Sequence, residues 1–90
     1  MSFTVTVYTI DPCPYCISAK ALLTRKNIPF TEIKLSRNDF DEIVKLQQKS
    51  GMRTFPQIFF GEELIGGFDD LVKLDGEHDI VEYYKNNASK

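Results

Sequence analysis

Residues 3–16 read Phe-Thr-Val-Thr-Val-Tyr-Thr-Ile-Asp-Pro-Cys-Pro-Tyr-Cys, and this stretch decides the fold. Over residues 3–10, β-branched and aromatic side chains alternate with hydroxylated ones, the pattern of a partly buried strand. Asp11-Pro12-Cys13-Pro14 then breaks the strand. Pro14 suits the first turn of a helix, where its missing N–H would have had no partner. That helix is expected over residues 14–26, with Ile17, Ala21 and Leu22 on its buried face. Arg25 and Lys26 favour the negative end of its dipole, and Asn27 with Pro29 closes it. Cys13 and Cys16 therefore stand where a strand gives way to a helix.

Outward from this unit, residues 30–35 form a second strand, parallel to the first at the spacing of a βαβ unit. Ser36, Asn38 and Asp39 offer caps for a second helix with Phe40, Ile43, Val44 and Gln47 on one stripe and Gly51 at its end. Residues 57–60 and 63–65 flank Gly61-Glu62 as an antiparallel hairpin, and Gly66-Gly67 ends its second arm. Helical signals over residues 69–74 and 79–87, separated by Gly76, complete the chain. The order β-α-β-α-β-β-α-α implies an α/β fold, a four-stranded mixed sheet flanked by helices.

Ninety residues allow one domain, expected to span residues 1–90 with a radius of gyration of ~12 Å. Seven Phe and four Tyr can furnish a core, and a 27% charged fraction is too moderate for a disordered chain. A net charge of −2 gives no global attraction to phosphate backbones or anionic lipid, so a nucleic-acid or membrane-surface role is not expected. No apolar run approaches a bilayer span and the N-terminus lacks a secretory pattern, so the expected location is cytoplasmic.

The two cysteines are too close in sequence to staple the fold, which points them toward chemistry. At a helix start the Cys13 sulfur faces free N–H groups and the positive end of the macrodipole, both of which stabilise a thiolate. Cys16 lies one turn deeper on the same side, less accessible and within reach of Cys13. One cysteine can attack and the other can resolve. Two competing readings are structural zinc and inert packing. Zinc wants four ligands, and the chain adds only His78, read as a surface residue at the start of the last helix rather than a catalytic base. A strand-to-helix junction bracketed by two prolines is an odd place for filler cysteines.

Cys-Pro-Tyr-Cys at 13–16, Thr-Phe-Pro at 54–56 and Gly-Gly-Phe-Asp-Asp at 66–70 together resemble a dithiol glutaredoxin. The resemblance covers nearly the whole chain and implies a thioredoxin-like fold. It implies that Cys13 is the nucleophile and Cys16 the resolving thiol, supported by Pro14, Tyr15 and a cis Pro56. Glutathione would be held by Tyr15, Arg53, Thr54, Phe55, Pro56, Gly67, Phe68 and Asp69, with Phe55 offering its backbone and Asp69 meeting the γ-glutamyl ammonium. Three positions depart from the family pattern. Ile10 stands where many members have Lys, Ile43 where many have Gln, and Phe68 where some have a third cysteine.

The activity so implied is glutathione-dependent reduction of protein–glutathione mixed disulfides and protein disulfides, with glutathione as co-substrate and no metal. NADPH would enter through glutathione reductase, since the chain has no dinucleotide fingerprint. The implied protein is a monomer acting on glutathionylated or disulfide-bonded proteins, ribonucleotide reductase among them. Two rivals remain open. One is a dimer bridging a [2Fe–2S] cluster through Cys13 and glutathione, against which Pro14 argues by crowding the cluster. The other is an electron donor to ribonucleotide reductase fed by thioredoxin reductase.

Overall fold

A computed structural model describes residues 4–88. Its elements run β1 (Val5–Ile10), α1 (Pro14–Arg25), β2 (Thr31–Leu35), α2 (Phe40–Ser50), β3 (Gln57–Phe60), β4 (Glu63–Gly66), α3 (Phe68–His78) and α4 (Ile80–Ala88). The sheet order is β2-β1-β3-β4, with β1 parallel to β2 and antiparallel to β3, and β3 antiparallel to β4. This is the expected four-stranded mixed sheet. Phe3, expected in the first strand, lies outside the described residues.

Strand pairing sorts the side chains into two faces. Val5 opposes Phe60 and Val7 opposes Ile58. These four pack with Ala19, Leu22 and Leu23 of α1, Leu71 of α3 and Ile80 of α4 in one buried cluster. On the opposite face Phe59 meets Tyr8 edge-on, and Lys49 of α2 lies 4.9 Å above the Phe59 ring. Helices thus cover both faces, and β3, in the middle, is buried along its whole length. β2 is an edge strand, and its charged, exposed Glu32 and Lys34 suit that place.

α1 ends as its sequence requires. Asn27 takes the left-handed conformation at φ 59°, and its N–H and that of Ile28 bond back to Thr24 and Leu23 carbonyls. That pair of bonds is a Schellman closure, and the buried Ile28 and Leu23 supply its apolar contact.

The buried faces of two helices differ from expectation. α1 buries Cys16, Ala19, Leu22 and Leu23, while Ile17 is 66% exposed and Ala21 is exposed too. Apolar residues lie on more than one side of this helix, so the stripe is ambiguous in sequence, and packing against the sheet and α3 selects the Cys16, Ala19, Leu22 and Leu23 face. α2 packs through Leu46, with Ile43 and Gln47 half-buried, and leaves Val44 exposed and Phe40 70% exposed at its first residue. Of the expected caps, Asp39 is the N-cap, but its carboxylate accepts the Ser36 N–H at 2.8 Å instead of capping the helix.

α3 also runs straight through Gly76 to His78. The break falls at Asp79, whose φ is 55° and whose carboxylate accepts the Val81 N–H at 3.1 Å. A local side-chain bond lets Asp hold that left-handed turn, whereas a glycine in open space inside a helix only costs about 1 kcal/mol relative to Ala. His78 therefore closes α3 rather than opening the last helix, and its side chain lies outside the described residues.

Candidate active site

Parallel pairing of Ile10 with Leu35 makes the loops after β1 and β2 leave from the same edge of the sheet. Cys13 ends the first of these loops as the N-cap of α1, with extended backbone, and Pro14 is the first helical residue. Cys13 and Cys16 form a disulfide with their Cα atoms 5.2 Å apart. The Cys16 N–H donates to the Cys13 sulfur at 3.1 Å, and the Cys16 and Ile17 N–H groups also reach the Cys13 carbonyl. In this oxidised form the sulfur stands where a Cys13 thiolate would stand after reduction. A helix start and a donated N–H both favour charge there. Cys16 is buried and Cys13 only half-buried, so the two sulfurs differ in access as their depth in the helix requires.

Beside the pair lies a groove of about 350 Å³. It gathers Tyr15, Thr54, Phe55, Pro56, Gly67, Phe68 and Asp69 from three segments far apart in sequence. Tyr15, 63% exposed, stacks on Phe68 with ring centroids 6.2 Å apart and planes at 26°. The Phe55–Pro56 bond is cis, as is Asp11–Pro12. Across the groove, a Cβ built on Gly67 would stand 3.6 Å from the Pro56 carbonyl, so the two walls meet closely there.

The groove's far wall is the start of α3. The Asp70 carboxylate accepts the Gly67 N–H at 3.0 Å, fixing the turn that leads into the helix. Phe68 and Asp69, the first two helical residues, line the groove at an end where backbone N–H groups lack helical partners. Such an end takes a carboxylate, and Asp69 beside it can take an ammonium, so the two charges of an amino-acid head group both find partners.

Of the eight residues expected to hold glutathione, Arg53 alone is not part of this lining; it is exposed on the loop before Thr54. Ile10 is buried in the sheet, and Ile43 is half-buried on α2. Three contributors were not foreseen, Met52, Gln57 and Arg37, while Asp70 of the 66–70 motif joins the site as a helix cap. Met52 and Asp70 line the groove. Gln57, fully buried, donates its amide to the Met52 and Thr54 carbonyls at 3.3 and 3.0 Å and so ties down the Thr54-Phe55-Pro56 wall. Arg37 donates to the Asp11 and Pro12 carbonyls at 3.0 and 3.2 Å, just before Cys13. The Asp70 role was legible as an acid three residues after a glycine N-cap. Gln57 reaches back only three and five residues, a local bond that its residue type does not announce, whereas Arg37 acts across more than twenty residues, which no local pattern encodes.

The glutaredoxin family model matches residues 5–65. Glutaredoxin 1 of Rickettsia prowazekii (strain Madrid E) is 47% identical over 75 residues, which cover 82% of this chain and 79% of that protein. Glutaredoxin 3 of Escherichia coli (strain K12) is 45% identical over 73 residues, 79% of this chain and 84% of that protein. Among solved structures, the solution structure of glutaredoxin from Brucella melitensis superposes with a TM-score of 0.81 at 41% identity, over 96% of this chain and 92% of that one. The buckwheat glutaredoxin–glutathione complex superposes with a TM-score of 0.82 at 25% identity, over 93% and 79%.

Proposed function

We propose, from the premise that this chain belongs to the glutaredoxin family and is a thiol–disulfide oxidoreductase, that its reductant is glutathione and its substrates are protein–glutathione mixed disulfides and protein disulfides. The observation that carries this reading is the groove beside the Cys13–Cys16 pair. Its walls offer backbone at Phe55, a helix start at Phe68 and an acid at Asp69, the partners a γ-glutamyl tripeptide needs. Tyr15, stacked on Phe68, joins the cysteine loop to that groove. A glutathione complex of a relative with the same fold supports the fit.

Once the pair is reduced, the Cys13 thiolate attacks the glutathione-side sulfur of a mixed disulfide. The old S–S bond breaks, a new one forms to Cys13, and the protein thiolate leaves and takes a proton. A free glutathione thiolate then attacks the glutathione sulfur held on Cys13, so that this glutathionyl group and the incoming glutathione leave together as oxidised glutathione and the Cys13 thiolate is free again. With a protein disulfide as substrate, Cys16 attacks the Cys13 sulfur of the mixed disulfide, the Cys13–protein bond breaks and the second protein thiolate leaves; two glutathione thiols then reduce the Cys13–Cys16 bridge and end as one oxidised glutathione. The helix start and the Cys16 N–H hold the charge on Cys13 in each step. On this reading the chain is a single-domain, cytoplasmic monomer, with ribonucleotide reductase among its candidate partners.

The test is turnover of a glutathionylated peptide coupled to glutathione reductase. Cys13→Ser should be dead and Cys16→Ser should keep substantial activity, because deglutathionylation needs one thiol. Wild-type protein that is inactive with glutathione but turned over by thioredoxin reductase would overturn the glutathione reading. Visible absorbance of a cluster in freshly purified protein, without turnover, would overturn it in favour of cluster carriage.

A further inference from the structure

The four residues from Asp11 to Pro14 include two prolines, so half of this loop lacks a backbone N–H with which to hold itself in place. A side chain from the neighbouring loop does the holding. The Arg37 guanidinium uses two edges of its fork, Nε on the Asp11 carbonyl at 3.0 Å and Nη2 on the Pro12 carbonyl at 3.2 Å. The Pro12 carbonyl belongs to the peptide bond that enters Cys13. Arg37 is itself presented by a locked turn, in which Asp39 N–H bonds to the Ser36 carbonyl at 2.9 Å and Ser36 N–H to the Asp39 carboxylate at 2.8 Å.

Charge around the loop is arranged in the same sense. Asp11 carries the one carboxylate on the cysteine loop, and Lys34 of β2 neutralises it with an ion pair of 2.9 Å. The Asp11 hydrogen bond, first, and its charge hold the Lys34 ammonium above its ordinary pKa, so Lys34 stays charged. Asp11, Lys34, Arg37 and Asp39 line one groove of about 470 Å³ on the flank of the cysteine loop away from Tyr15. Its charges balance only because Arg37 is there.

We propose that Arg37 is a positioning residue for Cys13, clamping the two carbonyls before it and setting a fixed positive charge beside the loop that carries the sulfur. The clamp rests on the nucleophilic role of Cys13 proposed above, and it gives that role a second source of thiolate stabilisation beyond the helix start. Arg37 touches no reacting atom; it acts through the Asp11-Pro12 backbone and through its charge beside that loop.

The experiment follows the rate of iodoacetamide alkylation against pH in a Cys16→Ser background, where Cys13 is the one cysteine left to report. Arg37→Gln keeps a donor but not the charge, and should move the midpoint alkaline by about half a pH unit to one unit. Arg37→Lys keeps the charge and should recover at least half of that displacement. Arg37 is exposed and outside the core, so both variants should still fold with the wild-type circular-dichroism spectrum. The pH–rate profile for turnover should shift with the alkylation midpoint. An unmoved midpoint in Arg37→Gln, or a uniform loss of turnover at every pH, overturns the proposal. The alkylation assay needs no glutathione, so failure of the glutathione reading would leave this result standing on its own.

Discussion

Gln57 shows how much of the site hangs on one buried amide. Both carbonyls it bonds belong to the loop before Pro56, and its own Oε1 is buried without a partner. Replacing it by Leu removes the donors but also that orphaned acceptor, so the two effects oppose each other. The lost bonds win, because two carbonyls are left unpaired: Gln57→Leu should cost about 1–3 kcal/mol in urea denaturation. It should also raise KM for a glutathionylated peptide more than it lowers kcat. Gly66 is the other sensitive residue, at φ 124°, where a Cβ would run into the Asp70 carboxylate. Gly66→Ala must both strain the backbone and push aside the acceptor of the Gly67 N–H, at a cost of about 1–3 kcal/mol in the same measurement. A glycine–glycine turn at 66–67 was legible in sequence; the need for Asp70 to occupy the missing side-chain volume was not.

Between elements, Glu32 ties β2 to β1 and α1. Its carboxylate accepts the buried Thr9 hydroxyl at 2.7 Å and pairs with Lys20 at 2.9 Å. The Thr9 bond, first, and the Lys20 bond hold its pKa below the ordinary 4.5. A carboxyl depressed in the folded state contributes stability that is fully present above its unfolded pKa and is lost as pH falls through the folded value. Stability measured against pH should therefore fall on the acid side below about 4.5, and Glu32→Gln should flatten that limb while leaving the alkaline side unchanged. The order, kind and pairing direction of the elements were readable because caps and turns are local: Pro14, Asn27, Gly51 and Gly61 each sit where the backbone needs them. The inward faces of α1 and α2 were not, since Ile17, Val44 and Phe40 satisfy a helical period as well as the residues that are in fact buried.

At the scale of the whole molecule, one cluster joins the sheet to three helices, and Ile80 brings the last of them into it with no exposed surface. Ile80→Ala should cost about 2–5 kcal/mol and lower the thermal midpoint clearly, because a domain this small has little stability to spare. If the variant melted like wild type, α4 would contribute little to the fold. No helix among the described residues is long and apolar enough to cross a membrane. The cysteine pair, its helix start and the α/β order were determined by sequence alone, because each depends on residues within one turn or one strand of each other. Tyr15, Thr54-Phe55-Pro56 and Gly67-Phe68-Asp69 could be named in sequence by resemblance, but the groove they form exists only once β3 pairs with β1 and β4 and α3 starts beside Pro56. The support from Arg37 was decided by tertiary structure entirely: a side chain's partner on another loop depends on where the sheet register places that loop, and no local spacing carries that information.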